Sequence, residues 1–175
     1  MCLICYNSNS SDIKEQIEKE LSVLIGQKFN YIDRAANMLD IGFGEDVEYI
    51  NYDGQIHIVA RFVLHTQTSW CLVKDNSIIL GNGDFYLPKD NFEIIENFNG
   101  NKFGNSRFDV KSQEINEYIK NTQIIINNIN ANGLGDVTIF MENDYRLEVF
   151  VDVAGREESW RFFRMDDNSK HFVVF

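Results

Sequence analysis

The chain has 175 residues and a formal net charge of −11, with 44% hydrophobic and 25% charged residues. This composition is typical of one globular domain and not of a disordered chain. The acidity argues against binding to nucleic acid or to an anionic membrane, because both require a basic surface. It is compatible with a basic protein partner.

The cysteines do not form a framework for disulfides. There are three of them, Cys2, Cys5 and Cys71, and two lie at the extreme N-terminus. Cys2 and Cys5 have the spacing of half a zinc knuckle, but no second pair of ligands accompanies them. The N-terminus lacks the basic region of a signal peptide, and no apolar stretch approaches the ~18 residues of a membrane span. We therefore expect a cytoplasmic protein with no metal and no cofactor.

The first predicted element is an amphipathic helix. Asp12 and Glu15 have the spacing of a capping box, and Gly26 is placed as a C-cap. The apolar stripe between these ends recurs at helical spacing. It consists of Ile13, Ile17, Leu21 and Leu24.

Strands follow the helix. Near-alternation of apolar residues predicts strands at 28–33 and 37–43, with Gly42 and Gly44 interrupting the second. Asp53-Gly54 lies between two apolar runs, 47–52 and 56–64, which predicts a β-hairpin. Two more strands are predicted at 70–73 and 78–80, around a turn at Asp75-Asn76-Ser77. The carboxylates Glu45, Asp46 and Glu48 are interpreted as solvated loop charges.

The second half begins after an irregular connection at 81–110, which is rich in glycine and asparagine. A second helix is predicted from near Ser112. Its end is left open, because the β-branched run 124–126 also suits a strand. The remaining predicted strands cover 137–141, 145–153, 160–165 and 171–175, with a polar turn at 166–169 joining the last two.

The two halves resemble each other in their order of elements. Ser69-Trp70 aligns with Ser159-Trp160, and in each half an apolar strand, an Asp-Asn-Ser turn and a closing apolar strand follow. We predict an α+β fold made of two tandem helix-plus-antiparallel-sheet units related by a pseudo-repeat. The units cover about 11–80 and 111–175, and they pack as a single domain over 1–175.

Two short runs supply the candidate contact residues. His65, Gln67 and Trp70 form the most distinctive polar–aromatic run, and Trp160 and Arg161 begin a strand of alternating basic and aromatic residues. These five residues are candidates for contact with a ligand or a partner. The competing interpretation is a strand corner in which Trp70 packs and the polar groups bond to backbone. No nucleophile, base and acid occur in a recognisable pattern, so no catalytic residue is predicted.

The chain also resembles an uncharacterised family of small bacterial α+β proteins from Leu21 onward. The shared motifs are Leu24-Ile25-Gly26, Arg34-Ala35-Ala36 with Met38, Gly42-Phe43-Gly44, His65-x-Gln67-x-x-Trp70, Gly104-Asn105-Ser106 with Phe108-Asp109, Leu147-Glu148-Val149-Phe150 and Trp160-Arg161-Phe162. In that family a basic residue tends to follow the first tryptophan, where this chain has Cys71. The resemblance implies no particular activity.

Three hypotheses for function follow. The first is a non-catalytic module that binds a basic protein, similar in size, acidity and α+β character to toxin-immunity proteins. The second is a small-ligand-binding protein or an enzyme that uses a cleft between the two halves near His65 and Trp70. The third is a self-associating structural protein. The sequence leaves the oligomeric state open.

Overall fold

A computed structural model describes residues 10–89, 98–100, 102–155, 157–166 and 171–175. In these ranges the fold contains two α-helices and ten β-strands. The helices are α1 (Ser10–Leu21) and α2 (Arg107–Asn121). The strands are β1 (Phe29–Ala35), β2 (Met38–Ile50), β3 (Ile56–Thr66), β4 (Trp70–Lys74), β5 (Ser77–Gly81), β6 (Ile126–Ala131), β7 (Val137–Met141), β8 (Tyr145–Val149), β9 (Trp160–Arg164) and β10 (Phe172–Val174).

The strands form two antiparallel sheets, which confirms the predicted α+β class. The order in the first sheet is β1-β2-β3-β9-β10, and the order in the second is β5-β4-β8-β7-β6. Each sheet thus takes three strands from one half of the chain and two from the other. The predicted units do not form separate sheets, because the last two strands of each half complete the sheet of the other half.

The two sheets have the same arrangement. In each sheet, three successive strands of one half are followed by the last two strands of the other half. Trp160 of β9 lies opposite Thr66, the last residue of β3, and Trp70 of β4 lies opposite Val149, the last residue of β8. An isolated bridge between Lys28 and Ile125 links the segments that lead into β1 and β6. The duplication of the sequence itself stays a prediction.

One hydrophobic core joins both sheets and both helices. Helix α1 contacts β6, and α2 contacts β1 and β5, so each helix packs mainly on strands of the other half. The core includes Ile17 and Leu21 from α1 and Phe108 from α2, together with Trp160 and Leu64 from the sheets. Burial of such a cluster is the main stabilising contribution in a domain of this size.

The ends of helix α2 differ from the prediction. The helix begins at Arg107, not near Ser112, because Ser106 and Asp109 form a capping box at its N-terminus. It ends at Asn121, and Ile126 opens β6. The β-branched residues after the helix therefore favour extended backbone, as their stiff side chains predict.

The predicted hairpin around Asp53-Gly54 is longer than expected. The runs 37–43 and 47–52 belong to one strand, β2, with a bulge between Phe43 and Asp46 that includes Gly44 at φ +81°. A glycine tolerates this conformation without a Cβ clash. We call residues 45–60, beyond this bulge, the β2–β3 arm. The predicted turn at 166–169 lies mostly outside the described residues.

Candidate functional site

Two of the five candidate contact residues belong to the core. Trp70 and Trp160 are 3% and 0% exposed. The Trp70 ring packs edge-on against Phe85 and Phe108, at centroid distances of 5.6 and 5.9 Å. Trp160 donates its indole N–H to the carbonyl oxygen of Gly135 at 2.9 Å. The expectation that these rings contact a ligand or partner is corrected, since neither offers surface to one.

The other three candidates lie together at the surface. His65 on β3 is directly opposite Arg161 on β9, and Gln67 follows β3 in an exposed position. The three line a depression of about 430 Å³, together with Glu157 and Glu158. Arg161 donates to Glu158 at 2.5 Å. The polar residues of the predicted motif therefore lie at the protein surface, while its two tryptophans are buried in the core.

His65 takes part in a polar chain that crosses three strands. Its Nε2 lies 3.3 Å from Oδ1 of Asp40 on β2, the residue directly opposite. The same carboxylate oxygen accepts the phenol O–H of Tyr31 on β1 at 2.9 Å. Burial, and then the charge of Asp40, raise the pKa of Tyr31. Tyr31 therefore acts as a hydrogen-bond donor that orients Asp40 toward His65.

Aromatic rings flank this chain on its other side. Phe163 of β9 lies edge-on to His65, with ring centroids 4.9 Å apart, and stacks on His171 at 4.3 Å. Burial lowers the pKa of His171, and electrostatic interactions with Arg161 and His65 lower it further. His171 is therefore predominantly neutral at neutral pH. The two histidines and Phe163 form an aromatic row beside Asp40.

A groove of about 800 Å³ runs along this face of the first sheet. Tyr31, Asp40, His65, Phe163 and His171 line it, together with Tyr49 and Val59 of the β2–β3 arm and with Arg164 and Asp166. The groove therefore combines carboxylates and aromatic rings with one arginine, which pairs with Asp166. Both the carboxylates and the rings can interact with a cationic group.

The β2–β3 arm carries three exposed isoleucines. Ile50 and Ile56 lie directly opposite each other, and Ile58 lies two residues further along the same face of β3. Their exposed fractions are 64%, 62% and 64%. Glu48 shares this face, because it lies opposite Ile58. An exposed aliphatic cluster of this size on one face is a feature of interaction surfaces.

The arm is also acidic. Residues 45–60 contain four carboxylates, Glu45, Asp46, Glu48 and Asp53, and no lysine or arginine. Three of these were interpreted from the sequence as loop charges, but all three lie within strand β2. Only Glu45 forms an ion pair among them in the described part of the chain, with Arg61 at 2.5 Å. The arm therefore presents apolar and acidic groups side by side.

The described part of the chain shows no assembled nucleophilic centre. Burial, followed by the neighbouring Glu148, raises the pKa of the Cys71 thiol to about 11, so Cys71 stays protonated at neutral pH. Ser69 bonds to Asp152, and Asp84 accepts the backbone N–H of Gly81 at 2.9 Å. Among the described residues, no three His, Cys, Asp or Glu side chains gather in an arrangement that could hold a metal ion. Cys2 and Cys5 lie outside those ranges.

Sequence reasoning missed most of the residues that define these surfaces. Tyr31, Asp40 and His171 come from separate strands, and only the sheet register brings them beside His65. The three isoleucines of the arm follow a pattern that equally suits burial. One signal in the sequence was available, the acidic residues Glu45, Asp46 and Glu48 before the predicted hairpin turn. Charged residues at alternate positions of a strand indicate that this part of the strand is exposed to solvent.

No protein-family model, no curated protein and no solved structure matches this chain. The resemblance to a bacterial family based on short motifs accordingly stays a prediction. In the described part of the chain, none of the helices combines the length and apolar character needed to cross a membrane.

Proposed function

We propose that this protein is a non-catalytic binding module for a basic protein partner. The observation that carries the proposal is the β2–β3 arm, where exposed Ile50, Ile56 and Ile58 lie beside Glu48 and Asp46. Exposed aliphatic groups gain free energy when a partner covers them. The carboxylates favour a partner with positive charge and speed its encounter.

The negative charge of the arm also favours one kind of binding partner over the others. A symmetric contact between two copies would bring together two arms that each carry four carboxylates and no Lys or Arg. Anionic lipid would be repelled in the same way. A basic protein surface is the occupant that gains from both the apolar and the acidic groups. The proposal includes the cytoplasmic location and the toxin-immunity type of function that we predicted from the sequence.

A comparative capture experiment tests this function. The immobilised protein, the triple variant Ile50→Ser/Ile56→Ser/Ile58→Ser and the control Ile78→Ser are exposed to lysate of the source cell at low salt. Ile78 is 68% exposed but lies on β5, in the other sheet. We expect the wild type and the control to retain one stoichiometric basic protein that the triple variant loses. High salt should weaken its retention.

Two outcomes would contradict the proposal: no stoichiometric partner on the wild type, or equal retention by the triple variant. All three substituted isoleucines are mainly exposed, so each variant should unfold at a temperature close to that of the wild type. Thermal unfolding monitored by circular dichroism checks this. Light scattering at high protein concentration gives the mass in solution, and a dimer that the triple substitution abolishes would favour self-association instead.

The groove supports a second candidate function, binding of a small cationic ligand. The supporting observation is the chain from Tyr31 through Asp40 to His65, bordered by Phe163 and His171. Strands β3 and β9 pair at the seam between the two halves, and the groove on the outer face of the first sheet takes its lining residues from both halves.

Benzamidine is a suitable probe for this second function because it combines a cation with an aromatic ring. We expect it to shift the NMR signals of the His65 and His171 ring protons, while benzoate leaves them unchanged. Asp40→Asn should weaken the benzamidine effect, since it removes the carboxylate charge of this residue from the groove. Equal shifts with benzoate, or no shift with either compound, would exclude a cation-selective groove.

A further inference from the structure

We infer that the partner binds by strand addition, pairing an extended segment of alternating basic and apolar residues with the free edge of β2 at residues 46–50. This inference rests on the proposed function, because it specifies how the arm recognises a basic protein. The partner would use the β2 edge of the arm and not the β3 edge.

Among the described residues, this edge is free because strand β1 ends before it. Strand β1 pairs with β2 only from Ala35 opposite Met38 to Phe29 opposite Phe43. Beyond the bulge, within the described residues, β2 pairs only with β3, from Asp46 opposite Ala60 to Ile50 opposite Ile56. The arm is therefore a two-stranded ribbon. Such ribbons are marginally stable in water unless something else packs on them.

This edge lacks most of the devices that keep strands from pairing with other chains. Natural edges are protected by lysine, by proline or by bulges. Residues 46–50 contain no lysine and no proline, and the bulge lies before them. The carboxylates of Asp46 and Glu48 remain as protection. They repel an identical acidic edge but attract a basic strand, so they block self-pairing and select the partner.

The side chains of the edge alternate in chemistry. Asp46 and Glu48 project from one face of β2, and Val47 and Tyr49 project from the other. Asp46 holds its position by accepting the side-chain amide of Asn30 at 2.9 Å. A strand lying along this edge would place its basic residues beside the carboxylates and its apolar residues beside Val47 and Tyr49. Opposite charges and apolar groups on adjacent strands stabilise a sheet as cross-strand pairs.

The opposite edge of the arm fits such a segment less well. Strand β3 presents Ile56 and Ile58 on one face and His57 and Val59 on the other, with no carboxylate. An added strand there would gain apolar contacts but no ionic ones. The β2 edge is thus the one where the charge pattern specifies a partner.

The experiment uses the full chain and an acetylated, amidated octapeptide that alternates lysine and valine. A matched octapeptide of glutamate and valine is the control for charge. A third peptide carries N-methyl groups on the backbone nitrogens of one edge, which removes hydrogen-bond donors without changing the side chains. Binding is measured by NMR titration, and amide hydrogen exchange is followed for residues 46–50.

We expect the lysine peptide to bind, the glutamate peptide not to bind, and those amides of residues 46–50 that point away from β3 to gain protection. N-methylation should weaken binding roughly tenfold or more, because each lost backbone hydrogen bond contributes on the order of 1 kcal/mol. Glu48→Gln should weaken binding roughly threefold, as for an exposed ion pair. Asp46→Lys/Glu48→Lys should reverse the preference toward the glutamate peptide.

The outcomes separate this inference from the proposed function. Equal binding of the N-methylated peptide, or unchanged exchange at residues 46–50, would overturn strand addition while leaving the basic partner intact. Failure of the lysine peptide to bind would also overturn it. The capture experiment tests the proposed function independently. That proposal fails if the wild type retains no basic protein, or if the triple isoleucine variant retains it equally well.

Discussion

Arg34 and Asp109 form a bidentate ion pair inside the protein. The guanidinium Nε lies 2.6 Å from Oδ1 of Asp109, and Nη2 lies 2.9 Å from Oδ2. Their side chains are 6% and 0% exposed. Asp109 also accepts the backbone N–H groups of Gly104 and Ser106. The pair thus connects β1 with the N-terminus of α2, and it explains two of the short motifs, Arg34-Ala35-Ala36 and Phe108-Asp109, as architecture.

Asp109→Ala should lower the free energy of unfolding by about 3–5 kcal/mol, because it leaves the buried Arg34 charge without its partner. It also removes the acidic residue of the α2 capping box. Urea unfolding followed by circular dichroism measures the effect. Glu20→Gln, on the exposed side of α1, is the control and should change the stability by less than about 0.5 kcal/mol. A loss at Asp109 as small as the control's would show that the pair contributes little.

Acid should remove the contribution of Asp109. Burial by itself raises the pKa of this carboxyl, but the hydrogen bonds from Arg34 and Ser106 outweigh it and lower the pKa below the ordinary value of 3.8. A lowered folded-state pKa means that the stabilisation is complete above 3.8 and is lost as the pH falls through the folded-state value. The stability difference between wild type and Asp109→Asn should therefore be constant above pH 3.8 and shrink as the pH falls below that value. A difference that stays constant in acid would contradict the lowered pKa.

The two tryptophans should differ in their response to phenylalanine. Trp160→Phe removes the hydrogen bond to the Gly135 carbonyl, whereas the Trp70 N–H has no hydrogen-bond partner in the described part of the chain. Both substitutions reduce core volume, and they differ in that only Trp160→Phe breaks a hydrogen bond. We expect Trp160→Phe to cost about 1 kcal/mol more than Trp70→Phe in free energy of unfolding. Equal costs would indicate that the indole N–H of Trp160 contributes no net stability.

Gly42→Ala should disturb the groove through Tyr31. A Cβ at position 42 would overlap the Tyr31 ring and lie 2.7 Å from the Cβ of Ala60. The ring must then shift, which strains its hydrogen bond to Asp40 and costs about 1–3 kcal/mol in stability. Gly83→Ala, where a Cβ meets nothing within 4 Å, is the control. The double variant Gly42→Ala/Tyr31→Ala should lose less than the sum of the single losses, as measured by chemical denaturation.

Local signals predicted the elements of this fold well. The Asp53-Gly54 hairpin and the turn at Asp75-Asn76 are present, and Asp75 and Asn76 adopt the positive φ that such turns require. Helix α2 shows where local reasoning fell short. Its true start depends on Ser106 and Asp109, and Asp109 is held in turn by Arg34, far away in the chain.

The candidate surfaces were predicted only in part. His65, Gln67 and Arg161 are at the surface as proposed, but Trp70 and Trp160 are buried. Residues 65–70 lie partly at the surface and partly in the core, because the chain leaves the first sheet after Thr66 and enters the second at Trp70. The exposure of each residue in this run therefore depends on the sheet to which it belongs.

The sequence by itself determined the α+β class, the presence of two helices, most of the strands and the net acidity. These follow from periodicity, turn chemistry and charge, which are local or additive properties. Only the tertiary structure decided that β4 and β5 join the second sheet and β9 and β10 the first. Alternation specifies which face of a strand is buried, but not which strand lies beside it. That choice of neighbours brings Tyr31, Asp40 and His65 together and, among the described residues, leaves the β2 edge of the β2–β3 arm without a strand partner.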